Sequence, residues 1–321
     1  MVFQKISRVT FFILSLICFV MASVAVAEKP LNIALVLWRG ETDAERGFRD
    51  ALRELGYHAN YTTLNADQSL DRLSDLLKTL SPNDYQYLYT FGTPVSLMIK
   101  KDFQGVTPQV FTTVLYPAES GLVQNLFRPG VNISGASHFI PMEIQLDTAL
   151  SLLDFSSLGV FYNPRDANSA KTIQEIRNVS IERGFSLKTY PVRPGTNRLN
   201  KYLRLLEKGV IDVDAVYLPS DSYIVSQSQA IAKTLKRAKI PGFASVEDCV
   251  KKGILFGVTT SYYDVGRAAA AIVDQVERGK ALSAVPVSLP QKNSLLINKT
   301  TARALGFKPD RKLTGNARWI E

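Results

Sequence analysis

Two histidines and two cysteines are all that 321 residues offer in soft-ligand and thiol chemistry. A zinc site gathers three or four such ligands, so His58, His138, Cys18 and Cys249 argue against one. No metal and no cofactor is expected. The chain also lacks G-x-S-x-G, H-E-x-x-H and the Gly-rich phosphate loop of Walker type. "GTPVS" (Gly92–Ser96) lacks the second and third glycines of a dinucleotide fingerprint. His58 opens a strand-like run and His138 follows a crossing, positions that suit surface or structural roles. With no nucleophile–base pair, the chain reads as a binder and not as an enzyme. Low-complexity blocks and solenoid-length repeats are missing too. The surplus of 38 basic over 29 acidic residues is scattered along the chain. It therefore reads as a solvated basic surface and excludes a concentrated nucleic-acid footprint.

What is present begins with a leader. Lys5 and Arg8 form a basic start, and Val9–Val26 carries no charge. The run closes on Ala25-Val26-Ala27, an A-x-A cleavage pattern, so residues 1–27 read as a secretory signal peptide cleaved after Ala27. The rival is a retained anchor, since the apolar run is about long enough to span a bilayer. A lipid box wants Gly or Ala just before its cysteine, and Ile17 stands before Cys18, which argues against lipidation. The mature chain keeps one cysteine, Cys249, so no internal disulfide is available and the core alone must hold the domain.

The mature chain alternates short apolar runs with helical periodicity. "LNIALVLW" is a buried-strand pattern, and Phe48, Leu52 and Leu55 then fall on one helical face. "HANYTTLNA", "YQYLYTF" and "PQVFTTVLYP" are further strands. Leu70, Leu73, Leu76 and Leu77 keep helical register between the first two. "RPGVNISGASHF" breaks the rhythm with Pro, Gly, Asn and Ser, after which strand and helix alternate again to the end. The expectation is an α/β protein of two open units with parallel sheets, joined by a Gly/Pro-rich crossing.

Four polar strand tips feed helices: Trp38-Arg39-Gly40, Gly92-Thr93-Pro94, Asn163 through Ser169, and Pro219 through Ser222. Thr93 suits an N-cap and Pro94 the first helical position. Asn168 or Ser169 suits the cap of the helix that ends at Gly184. Capping alone explains each tip singly. Four tips at carboxyl ends of strands in two facing sheets point to a small-molecule cleft. Backbone donors at Val95 and Ser96, with the Thr93 hydroxyl, are expected to hold an anionic group. Trp38 and Tyr116 are candidates to stack on a flat ligand.

The stretches "GFRDALRELGY", "FGTPVSLMI", "SGLVQNLFRPGVNISGAS", "GVFYNPRDANSA", "DAVYLPSDSYIVSQ", "IPGFASVEDCVKKG", "YYDVGRAAAAIVDQVERGK" and "SLLINKTTARALGF" occur in this order. Together they resemble the ABC-transporter substrate-binding protein family of the tryptophan/tyrosine-binding kind, over nearly the whole mature chain. The resemblance implies a type I periplasmic-binding fold: two Rossmann-like lobes, three hinge crossings and a ligand in the cleft. Lobe 1 would take residues 28–136 with 262–289, and lobe 2 residues 137–261 with 290–321. By the same resemblance Thr93 and Pro94 sit at the lobe 1 anion-binding tip, Asn168 and Ser169 at the lobe 2 tip, and Asp221 at the next strand end, where it would accept a ligand ammonium. The chain departs from the family pattern at Leu115-Tyr116-Pro117, where Thr-Asp-Pro is common, and at Ser222, where Asn is common. The implied protein is a periplasmic monomer that binds a small carboxylate-bearing ligand, such as an amino acid, aromatic in some members. It would deliver that ligand to the membrane permease of an ABC importer. The alternative is a sensing module that presents its ligand to a receptor or sensor kinase.

Overall fold

The computed structural model describes residues 30–321. The leader and Cys18 lie outside them. Among the described residues no helix is long and apolar enough to cross a membrane.

The first sheet contains β1 (Leu31–Leu37), β2 (Ala59–Asn65), β3 (Tyr87–Phe91), β4 (Gln109–Thr112) and β5 (Ile133–Ala136), ordered β2-β1-β3-β4-β5 and parallel throughout. Its helices are α1 (Asp43–Glu54), α2 (Leu70–Thr79) and α3 (Thr93–Phe103). β1 shows why its run is apolar from Ile33 onward. Ile33, Leu35 and Leu37 enter a core with Phe48 and Leu52 of α1, while Ala34 and Val36 enter another with Leu73, Leu77, Val95 and Ile99. A parallel strand covered on both faces has no polar side to show.

The second unit holds α4 (Met142–Leu152), β6 (Ser157–Tyr162), α5 (Ala167–Arg183), β7 (Ser186–Pro191), α6 (Arg198–Glu207), β8 (Ala215–Leu218), α7 (Ser222–Ser226), α8 (Ser228–Ala238), β9 (Gly242–Ala244), α9 (Glu247–Lys251) and β10 (Phe256–Thr259). α10 (Tyr262–Glu277) follows, then β11 (Ser294–Asn298), α11 (Lys299–Leu305), α12 (Arg311–Thr314) and β12 (Arg318–Ile320). The sheet order is β12-β11-β10-β9-β8-β6-β7, with only the β10–β11 pair antiparallel.

The chain passes between the units three times. After β5 it enters α4, whose Met142 and Leu146 pack with Leu158 and Val160 of the second sheet. After β10 it returns in α10, whose Val265, Ala269 and Val273 join the α1 core. Backbone meets backbone there: a Cβ on Gly266 would collide with the Ala44 carbonyl, and one on Gly47 with the Tyr263 carbonyl. The third passage follows Val287 into β11. Ser137 N–H donates to the Ser288 carbonyl at 2.9 Å and Ser288 N–H to Gly135 at 2.8 Å, which ties the first and third passages together.

Three readings of the sequence change. "NISGAS" contains the edge strand β5 rather than a plain crossing. β11 runs antiparallel, and β12 extends the second sheet. The helical stretch after β8 breaks at Gln227 into α7 and α8.

Candidate functional site

The carboxyl ends of β1, β3 and β4 face those of β6 and β8 across a narrow cleft. The turn after β1 is built first. Thr42 caps α1, its N–H and hydroxyl both donating to Glu45 Oε2, at 2.7 and 2.8 Å. Tyr89 of β3 donates to the other Glu45 oxygen at 2.7 Å and accepts from Thr112 of β4 at 2.9 Å. Burial raises the Glu45 carboxyl, against the pull of these donors. The network fixes the five-residue turn that carries Arg39.

At the β3 tip the cap is Gly92, at φ 90°, and Thr93 is the first helical residue. Only glycine takes that backbone cheaply, and a Cβ there would press on the Trp38 Cβ at 3.2 Å. Thr93 therefore does not cap α3. Its hydroxyl faces the other unit and accepts from Asn168 Nδ2 at 3.1 Å. The expected donors behind it are turned inward. Val95 packs into the core. Ser96 gives both its N–H (3.1 Å) and its hydroxyl (2.9 Å) to the Gly92 carbonyl. Pro94 has no N–H but lines the cleft.

Across the cleft the cap of α5 is Asp166, not Asn168 or Ser169, and it accepts from Ser169 N–H at 3.0 Å. Asp221 caps α7 and is fully buried. Its Oδ1 accepts from Tyr223 and Ile224 N–H at 2.9 and 3.1 Å, and its Oδ2 from Asn163 N–H and Ser169 Oγ at 2.7 and 2.6 Å. Both oxygens are saturated from within its own unit, so Asp221 and Ser169 hold two tips together instead of facing the cleft. Asp166 does face it, half-buried, and burial followed by the nearby Asp221 charge pushes its carboxyl up to about 6.

These tips enclose a cavity of about 30 Å³. Its walls include Arg39, Phe91, Thr93 and Thr113 from the first unit, Asp166, Asn168 and Ser220 from the second, and Tyr262 from the second crossing. The Arg39 guanidinium carbon lies 5.4 Å from the Phe91 ring centre and 5.8 Å from that of Tyr262, whose hydroxyl it reaches at 3.4 Å. Arg39 Nε is buried and has no hydrogen-bond partner among the described residues. Nearby, His138 Nε2 bonds Ser220 Oγ at 2.9 Å across the units. Burial, then the Arg39 charge, pushes this imidazole down to about 4, so it is neutral at neutral pH.

Trp38 and Tyr116 lie outside this wall. Successive residues of an extended chain face opposite ways, so when Arg39 turns to the cleft, Trp38 turns into the core. Tyr116 instead donates across the units to Glu175 Oε2 on α5 at 2.6 Å, with its ring 5.5 Å from Phe139. Arg39, Phe91, Thr113, Asp166, Ser220 and Tyr262 were not singled out as site residues in the sequence. Arg39, Asp166 and Ser220 lie within the polar tips, and that is their only signal.

A family model described as ABC transporter substrate binding protein matches residues 33–318. The chain belongs to that family. It is 26% identical over 287 residues, 88% of this chain and 82% of the relative, to a tyrosine-binding protein of Clostridioides difficile strain R20291. A crystal structure of an ABC domain in complex with L-Trp from Streptococcus pneumoniae superposes with TM-score 0.83 at 22% identity, over 91% of this chain and all of that one. The ligand-free, open form of a substrate binding protein with adhesive properties from Clostridium difficile gives 0.70 at 22% identity, over 91% and 99%. This substrate-binding protein thus has the type I periplasmic-binding fold, with its cavity where the two units meet.

Proposed function

We propose that this substrate-binding protein is the exported receptor of an ABC importer, capturing one small amino acid with an aromatic side chain and handing it to a membrane permease. The signal segment is removed after Ala27 and the mature chain works as a periplasmic monomer. Residues 28–136 with 262–289 form one lobe, and 137–261 with 290–321 the other. The lobes part to admit the ligand and shut upon it, and the shut form is the one the permease reads. Thr93 and Asn168 contribute one ligand contact from each lobe.

The observation that carries this reading is the meeting of strand tips from both units around one cavity that holds charged, polar and aromatic groups together. Such a wall suits a small polar molecule bearing a ring. The tyrosine-binding relative and the fold neighbour crystallised with L-Trp support the choice of an aromatic amino acid. Native mass spectrometry of gently purified protein, followed by calorimetry with L-tyrosine and L-tryptophan, tests it. A retained or titrated aromatic amino acid at micromolar affinity or better is expected. No binding of any proteinogenic amino acid would refute the proposal.

A further inference from the structure

We infer that Arg39 and Asp166 form a charge clamp that reads the unblocked end of a free amino acid, Arg39 taking the carboxylate and Asp166 the ammonium. The inference deepens the reading of an amino-acid receptor and rests on it. Its ground is a juxtaposition. Of the described residues that line the cavity, Arg39 is the one cation and Asp166 the one anion, and they come from opposite units.

Arg39 is poised for an anion. Three outward arginines of α1 each have a carboxylate close by: Arg46 with Asp43 at 3.1 Å, Arg49 with Glu41 at 2.5 Å and Arg53 with Asp50 at 2.6 Å. Among the described residues the ion pairs leave Arg39 out. It stands between two aromatic rings, with a buried Nε that has no partner among the described residues. Ring faces hold a guanidinium in place without neutralising it. A cation half withdrawn from water gains most from a carboxylate that arrives with its own charge. His138, being neutral, adds no competing positive charge.

The alternatives have other duties. Ser96 at the α3 tip directs both donors to Gly92, and Asp221 is saturated by four donors. Asp166 accepts, among the described residues, only from the first turn of the helix it caps: Ser169 N–H to Oδ1 at 3.0 Å, with the Asn168 N–H and Ser169 hydroxyl close by. A ligand with both charges would touch Arg39 on one lobe and Asp166 on the other, so it would stabilise the shut form more than either half-charged analogue.

The test crosses two variants with three probes in calorimetry: L-tyrosine, tyramine without the carboxylate, and 3-(4-hydroxyphenyl)propanoate without the ammonium. Wild type should prefer L-tyrosine over each analogue by at least about 30-fold. Arg39→Met should lose its preference over tyramine, to within about threefold, yet keep its preference over the propanoate. Asp166→Asn, which retains a good cap, should do the reverse. Arg39→Lys, with circular dichroism and melting curves on all variants, guards against misfolding and should keep part of the discrimination. If Arg39→Met still separates L-tyrosine from tyramine as wild type does, the clamp is wrong although the receptor reading stands. If wild type binds neither L-tyrosine nor L-tryptophan, that reading falls and takes the clamp with it.

Discussion

Replacing Tyr116 by Phe removes one oxygen and little else. The ring remains against Phe139, and no sizeable void opens. What is lost is the 2.6 Å bond from the Tyr116 hydroxyl to Glu175, which joins a segment following β4 to helix α5 of the other unit. A hydrogen bond to a charged group contributes about 1.5–3 kcal/mol. Glu175 is half-buried, so water can reach it once the bond is gone, and the lower end of that range applies. About 1.5 kcal/mol removed from the shut form alone moves the shut-to-open ratio roughly tenfold towards open. If the open form predominates without ligand, the apparent affinity for L-tyrosine falls by the same factor. Two assays read this directly: calorimetry for the dissociation constant, and small-angle scattering for the radius of gyration with and without ligand. Glu175→Gln, which keeps an acceptor but no charge, should lie between wild type and Tyr116→Phe. Unchanged affinity and unchanged scattering for Tyr116→Phe would refute the idea that this bond stabilises closure.

Other outcomes follow from the same geometry. The Asp166 carboxyl, raised from 3.8 to about 6, binds its proton more tightly folded than unfolded. Its contribution thus favours the folded state at acid pH and is lost as pH rises through that window, by at most about 3 kcal/mol. Asp166→Asn should flatten the difference between melts at pH 4.5 and 7.5, and an unaltered slope would count against the assignment. L-tyrosine affinity should run the opposite way, weakening below pH 6 as the carboxylate is protonated. Gly266→Ala drives a methyl into the Ala44 carbonyl where α10 crosses α1, and should destabilise by about 1–3 kcal/mol or more in urea unfolding; a neutral result would mean the helices separate freely. Thr93→Val removes the 3.1 Å contact with Asn168 and should weaken L-tyrosine binding by about 1 kcal/mol with the melting point kept, whereas a large loss of stability would make Thr93 structural.

Strands buried on both faces write themselves as apolar runs, and amphipathic helices announce their inner faces, so β1 and α1 were legible from Leu31 to Glu54. The edge strand β5 was not, since "ISGA" carries a glycine that the neighbouring backbone demands: a Cβ on Gly135 would collide with the Phe111 carbonyl. The site was legible as a set of tips and illegible in its details. Asp166 and Asp221 are equivalent in sequence, each an N-cap after a strand. Which one faces the cleft is set by the parallel pairing of β6 with β8, which lays Asn163 and Ser169 over Asp221. Trp38 and Arg39 differ by one step of pleat, and no local pattern says which of the two faces inward.

The ribbon in which Ser137 and Ser288 exchange bonds with their neighbours has a kinematic consequence. Two bodies joined by one flexible strand can tumble in three rotations. Bodies joined at three places, two of them stitched side by side, keep essentially one swing. Closure along that arc, as proposed, would bring Tyr116 back to Glu175 and Thr93 back to Asn168, with no sideways search. The partners act at a high local concentration, like two sites on one short linker. In the proposed closure a single hydrogen bond across such a joint would be made and broken along one coordinate, and a few of them would set the balance point of the swing.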